Sequence, residues 1–357
     1  MIGPFARRRL ALGVAPAIVP ASAWLLLGVA LGPSGLDLLT RDVLAHLDAV
    51  VTVALGTLGV FVGLALAPRA TGAWRLLTAA IVESGATAAI VAGAATLLFR
   101  AWHLPLAGAP AVIVLAMGAA AAASSAGAAD EGRTDASAVS VADLDDLLPI
   151  LLAAAACGLT APEGIGPAAA LGTAAAIGTV IGIVGWLLFE RTAGDAERGV
   201  FVIGVLSLIG GVAAYANVSP LVAGLAAGLL WRRAPGSADA IVAADLRRFH
   251  HPLVVLLLAV AGAQMRLTPL ALFLLAAFVV FRLSGKVIGG VLASRLTRVP
   301  GDLLGALLVS PGVIGIAIAL NIQQVAPADG TPLVTAVAGG TLLFEMLALL
   351  LPREAAA

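Results

Sequence analysis

The sequence predicts an all-α polytopic membrane protein of about 12 transmembrane helices, built as inverted repeats with two crossed discontinuous helices. Three observations predict it. Hydrophobic residues make up 61% and charged residues 11% of the 357 positions, with a mean hydropathy of +1.09, so a soluble fold would expose large apolar patches. Apolar runs recur at about the 20-residue length that crosses a ~30 Å hydrocarbon core. Two of those runs are interrupted, one at Ser124 and Ser125 and the other at Ser310, Pro311 and Gly312.

Taken in order, the spans run approximately over 12–31, 44–67, 76–99, 109–129, 140–161, 165–189, 199–216, 218–231, 251–266, 270–294, 302–325 and 332–351. The first follows Arg7, Arg8 and Arg9 and passes Ala21-Ser22-Ala23, a pattern that also fits a secretory signal; its unbroken continuation to Leu31 favours a membrane helix. Asn217, Ser219 and Pro220 leave only a tight turn between the seventh and eighth spans, and a single hairpin there would reverse every later helix. The stretches Asp130 to Ser140 and Arg232 to Arg248 read as cytoplasmic connections. No soluble regulatory domain is expected, so the chain reads as one membrane domain over 1–357.

Charge placement sets the orientation. Alternating from a cytoplasmic N-terminus puts Arg7, Arg8, Arg9, Arg69, Arg75, Arg133, Arg191, Arg198, Arg232, Arg233, Arg247, Arg248, Arg295, Arg298 and Arg353 inside. Only Arg41, Arg100 and Arg266 fall outside, and Arg282 and Lys286 within the tenth span complete the 20 basic residues. A miscount of one span would mix the two groups, so both termini are expected in the cytoplasm.

The composition also excludes classes. There is no basic tract or aromatic platform for nucleic acid. The single cysteine, Cys157, permits no internal disulfide and reads as a buried structural thiol; His46, His103, His250 and His251 lack metal-ligand spacing. No cofactor is expected.

The membrane spans carry charges that need explaining, because an ionised group there costs roughly 2.5–3.5 kcal/mol even on lenient scales. Asp145 and Asp146 open the fifth span; Glu83 lies in the third, Arg282 and Lys286 in the tenth, and Glu345 in the twelfth. These spans flank the two interrupted ones. Inverted repeats would set third opposite tenth, fourth opposite eleventh and fifth opposite twelfth, gathering the charges around crossed helix breaks. Lys286 can then neutralise one aspartate, leaving the other to take a proton or a monovalent cation.

Plainer readings stand beside these. The aspartates also suit the positive end of a helix dipole, Arg282 and Lys286 can snorkel, Glu83 and Glu345 can pack as hydrogen-bonded neutral acids, and small-residue runs also serve close helix packing. An intramembrane aspartyl protease needs facing carboxylates on separate helices, whereas adjacent ones point about 100° apart.

In this order and spacing, the motifs resemble the monovalent cation:proton antiporter family, in its second branch of sodium/proton antiporters and potassium efflux transporters. Gly28-Val29-Ala30-Leu31-Gly32-Pro33-Ser34-Gly35-Leu36 is similar to the family's LGPSGL segment, and Ala142 to Leu148 to its Asp-Asp helix. Pro220 to Leu230 resembles the GAFLAGLL helix, Arg282 to Gly290 the lysine-bearing helix, and Ser310 to Ala319 the second crossover helix.

The resemblance implies a secondary antiporter exchanging sodium or potassium for protons, with Asp146 as carrier and Asp145 paired to Lys286. It implies unwound crossed helices at Ser124, Ser125 and Ser310 to Gly312, with Glu83, Arg282 and Glu345 as secondary charges and no metal beyond the transported cation. Asp-Asp members tend to move more protons than cations. The fold implied has a moving core at about 76–161 and 270–351 against a scaffold at about 12–67 and 165–266. A homodimer in a bacterial inner membrane is expected, with the lipid bilayer as surroundings and no nucleic-acid partner.

Set against the family pattern, the sequence is expected to depart in three places: no counterpart of the usual first helix ahead of the LGPSGL-like segment, a link from Ser125 to Asp145 shorter by about half a helix, and no counterpart of the potassium efflux group's regulatory tail. They motivate an alternative, a transport-inactive membrane protein of the same fold that acts as a sensor or assembly partner.

Overall fold

The computed structural model describes residues 21–66, 73–103, 109–123, 144–160, 166–192, 194–236, 238–298 and 312–350. Among them the chain forms twelve helices and no strand: α1 (Ala21–Leu31), α2 (Arg41–Ala65), α3 (Ala73–Ala101), α4 (Ala109–Ala122), α5 (Leu147–Thr160), α6 (Gly166–Arg191), α7 (Asp195–Tyr215), α8 (Pro220–Arg233), α9 (Ala238–Gln264), α10 (Pro269–Thr297), α11 (Val313–Val325) and α12 (Pro327–Leu350). They fall on the expected spans in order. Helices α2, α3, α6, α7 and α10 each contain a stretch long and apolar enough to cross a bilayer alone, and the chain is an integral membrane protein.

Helices α4, α5 and α11 have 14, 14 and 13 residues and reach only about 20 Å at 1.5 Å per residue. A half-span helix leaves backbone groups open at membrane depth, which is tolerated only inside protein. Accordingly α4 is buried on every face from Ala116 to Ala122, and α11 from Ile314 to Ile322.

Two sets of helices stand out by their packing, and they touch each other where α5 lies along α6 and where α9 meets α11 and α12. In the first, α2 lies along α8, α6 along α8, and α1 along α9, with α7 against α2 and α6. Bare glycines permit the close approach: a Cβ on Gly59 would strike the Leu221 carbonyl, and one on Gly224 the Gly56 carbonyl. In the second, α3 lies along α10, α4 meets α11, α5 contacts α4 and α11, and α12 contacts α11 and α4. The expected pairings of third with tenth and fourth with eleventh are present, whereas the fifth and twelfth, the other expected pair, make no comparable contact among the described residues.

Helices α7 and α8 are separate, joined by a turn in which Asn217 adopts φ 53° and Pro220 opens α8. The ninth element differs from its expected span of 251–266. Helix α9 starts at Ala238 and bends by 55° between Ala238–Leu246 and His251–Gln264. Pro252 lies just past the bend, where it removes a helix donor. Asp239, Asp245, Arg247 and Arg248 make the first arm read as a connection, yet Ala238, Val242 and Leu246, four residues apart, form a buried stripe.

Candidate functional site

Glycines on α10 bring its charges against α3. A Cβ on Gly289 would lie 2.7 Å from the Glu83 carbonyl oxygen, and one on Gly285 3.0 Å from Thr87 Cγ2. Glu83 and Thr87 are four apart on α3, and Arg282 and Lys286 four apart on α10, so each pair shares one helix face. All four side chains are fully buried.

Lys286 spends its three donors on three groups. Its Nζ donates to Asp145 Oδ2 at 2.8 Å, to Glu83 Oε2 at 3.0 Å and to the Ala122 carbonyl at 2.8 Å. Thr87 Oγ1 donates to Glu83 Oε1 at 3.4 Å, so both carboxylate oxygens of Glu83 accept.

Arg282 closes the end of α4. Its Nη1 donates to the Ala120 carbonyl at 3.3 Å and to the Ala121 carbonyl, and its Nη2 to the Ala123 carbonyl at 2.9 Å. The last carbonyls of a helix lack intrahelical partners and carry the negative end of its dipole. Two buried cations there satisfy those carbonyls and gain stabilisation from the dipole. Phe344 of α12 supports the guanidinium, with its ring centroid 6.0 Å from Arg282 Cζ.

Asp145 is fully buried and Asp146 5% exposed. Asp146 immediately precedes α5, and its carbonyl accepts from the Ile150 amide at 3.2 Å, the first bond of the helix. The helix-start reading and the burial are therefore both realised at this residue. Glu83, Asp145 and Asp146 all act electrostatically on Arg282. Glu83, Asp145, Asp146, Arg282 and Lys286 are the buried charged side chains among the described residues, and they form one cluster where α3, α4, α5 and α10 meet.

The remaining candidates lie apart from it. Glu345 Oε2 accepts from the Ser22 amide at 2.6 Å, tying α12 to the start of α1. Ser124, Ser125, Ser310 and Pro311 fall outside the described residues. Gly312 is buried at the N-terminal boundary of α11. A Cβ on Gly315, in the first turn of α11, would lie 3.0 Å from the Ala120 carbonyl oxygen, so the start of α11 meets the end of α4 beside the cluster.

Sequence reading missed the carbonyls of Ala120 to Ala123, which carry no side-chain signal, and Thr87, whose spacing from Glu83 was legible. It also missed Asn321, which follows the apolar run Val313 to Leu320 of α11. Asn321 Nδ2 donates to Ser219 Oγ at 2.9 Å and approaches Cys157 Sγ at 3.5 Å, linking α11, α8 and α5 through three buried residues.

No protein-family model matches the sequence, and no curated protein matches it. Solved structures do. The sodium proton antiporter MjNhaP1 from Methanocaldococcus jannaschii, in its structure at pH 8, superposes with a TM-score of 0.65 at 16% identity, over 92% of this chain and 89% of that one. An electron-microscopy structure of the same antiporter gives a TM-score of 0.64 at 15% identity, over 96% and 91%. The chain shares that fold over nearly its whole length.

Proposed function

We propose that this chain is a secondary antiporter that exchanges a monovalent cation, sodium or potassium, for protons by alternating access. The observation that carries the reading is the concentration of five buried charges, with two cations seated on the open end of α4, in a fold shared with a sodium proton antiporter. A structural ion pair needs two partners. Five charges at a half-helix end supply more groups than packing requires, and buried intramembrane charges mark ion pathways.

In this reading Asp146 is the carrier. Its slight exposure at the start of α5 leaves it reachable, while Asp145 is fully buried and holds Lys286. A carboxylate in that position takes a proton or a cation, and exclusive occupancy couples the two flows. Lys286 and Arg282 keep the cluster from collapsing onto itself when the carrier is empty, because their positions are fixed by α4 carbonyls as well as by carboxylates. The group α3, α4, α5, α10, α11 and α12 forms the moving core, and α1, α2 and α6 to α9 the scaffold against which it slides.

The test is pH-gradient dissipation in vesicles on adding sodium, potassium or lithium, with Asp146→Asn alongside. Cation-dependent proton flux lost in the variant supports the assignment. Flux absent from the wild type with every cation favours the transport-inactive alternative, and flux that survives in the variant moves the carrier elsewhere.

A further inference from the structure

Where α11 meets the start of α8, two polar side chains face each other in apolar surroundings. Asn321 stands between buried Leu320 and Ile322, and Ser219 between buried Val218 and Pro220. Asn321 Nδ2 donates to Ser219 Oγ at 2.9 Å, with both residues at most 1% exposed. The bonding is incomplete on each side. Asn321 Oδ1 is buried and has no hydrogen-bond partner among the described residues. Ser219 is the N-cap of α8, yet its side chain makes no cap hydrogen bond.

Resting on the antiport reading above, in which α11 belongs to the moving core and α8 to the scaffold, we propose that Asn321 and Ser219 form a release contact. Docking leaves both residues imperfectly bonded, and separation restores what docking withholds.

A buried carbonyl without a partner loses its water and gains nothing in exchange, so Asn321 Oδ1 makes the docked state costlier than an apolar side chain of the same size would. The first amides of a helix lack intrahelical partners, and a serine at the N-cap ordinarily accepts from one of them. Here the Ser219 hydroxyl faces Asn321 instead. Once α11 moves away, that hydroxyl is free to turn to the start of its own helix, and the amide oxygen of Asn321 can take water. Both changes favour separation, so the pair keeps an otherwise apolar junction from locking.

Gln324, three residues further along α11, makes a second link to the scaffold by a different means. Its Nε2 donates to Thr52 Oγ1 at 2.9 Å and to the Asp48 carbonyl at 3.0 Å on α2. Gln324 is partly exposed, so water replaces those bonds as they break. The buried pair, by contrast, sets how readily the junction opens.

Cys157 is the native reporter of that opening. It is the single cysteine of the chain, 1% exposed, and its Sγ lies 3.5 Å from Asn321 Nδ2. The experiment measures sodium- or potassium-driven proton flux by the full chain in liposomes, together with the rate at which N-ethylmaleimide modifies Cys157 during that flux. Asn321→Leu keeps the volume, removes the unpartnered carbonyl and frees Ser219 to cap α8 while docked. It is expected to lower the maximal flux and the labelling rate together by about tenfold, with an unfolding temperature equal to or above that of the wild type.

Flux or labelling at or above the wild-type rate in Asn321→Leu overturns the proposal, as does a wild-type thiol that stays unlabelled through turnover. A lowered unfolding temperature in both Asn321→Leu and Asn321→Met makes the bond a structural one and also overturns it. Where the Leu variant fails to fold, Asn321→Met carries the same expectation, because its flexible side chain adapts to the site. Absence of gradient-driven flux in the wild type removes the antiport reading, and this inference with it.

Discussion

Lys286 Nζ on α10 lies 3.0 Å from Glu83 Oε2 on α3, a fully buried ion pair between residues 203 positions apart in the chain. The same nitrogen holds Asp145, so one ammonium joins α3 and α10 to the residues that lead into α5. Removing one member of such a set leaves uncompensated charge in a low-dielectric interior, a loss larger than the net worth of the pair.

Lys286→Gln should therefore destabilise the protein by about 3–5 kcal/mol, seen as a lowered unfolding temperature in detergent. Lys286→Arg keeps the charge and should lose less. An unchanged unfolding temperature in the Gln variant would show that the triad does not hold these helices together.

Arg282 addresses three carbonyls of the α4 terminus through two nitrogens of one planar fork. A lysine keeps the charge but not that fork geometry. Arg282→Lys should retain the fold while cation-dependent proton flux falls about tenfold, a transition-state loss of about 1.4 kcal/mol. Flux at the wild-type level would mean that charge alone suffices at this position.

If protons and cations compete for one carboxylate, the apparent KM for the cation falls as pH rises, by up to about tenfold per pH unit while the carrier is mostly protonated. The maximal rate stays constant over that range. Initial-rate measurements across pH check this, and a KM that does not move with pH would exclude a shared site.

The α2 and α8 contact is set by glycines, and a Cβ at Gly224 would run into the Gly56 carbonyl. Gly224→Ala should cost about 1–3 kcal/mol through overpacking. Gly211 on α7, where an added Cβ meets nothing within 4 Å, is the control; there Ala should be neutral or stabilising by roughly 0.5–1 kcal/mol. Thermal unfolding of the two variants in parallel distinguishes packing from helix propensity.

Much of this was legible in the sequence because the membrane makes both length and charge conspicuous. Apolar run length located the helices, and Asp145, Asp146, Glu83, Arg282 and Lys286 stood out as charges where charge is costly. Partnership was legible only in part: Lys286 was expected to meet one aspartate, but not Glu83 as well. Glu345 carries the same cost as Glu83 in sequence, but it binds the Ser22 amide while its neighbour Phe344 is the residue beside Arg282. The first arm of α9 was hidden because its charges outweigh the buried stripe Ala238, Val242 and Leu246 in a composition-based reading. The end of α4 that receives Arg282 and Lys286 is made of backbone carbonyls on four alanines, which no side-chain pattern announces.

The most direct test of the central claim is uptake of labelled sodium, or rubidium in place of potassium, into liposomes holding the full chain, driven by an outward proton gradient. Wild-type protein is predicted to accumulate the cation above equilibrium and to release it when the gradient is collapsed, and Asp146→Asn to do neither. Equal uptake by the two proteins, or wild-type uptake that ignores the proton gradient, would contradict the account.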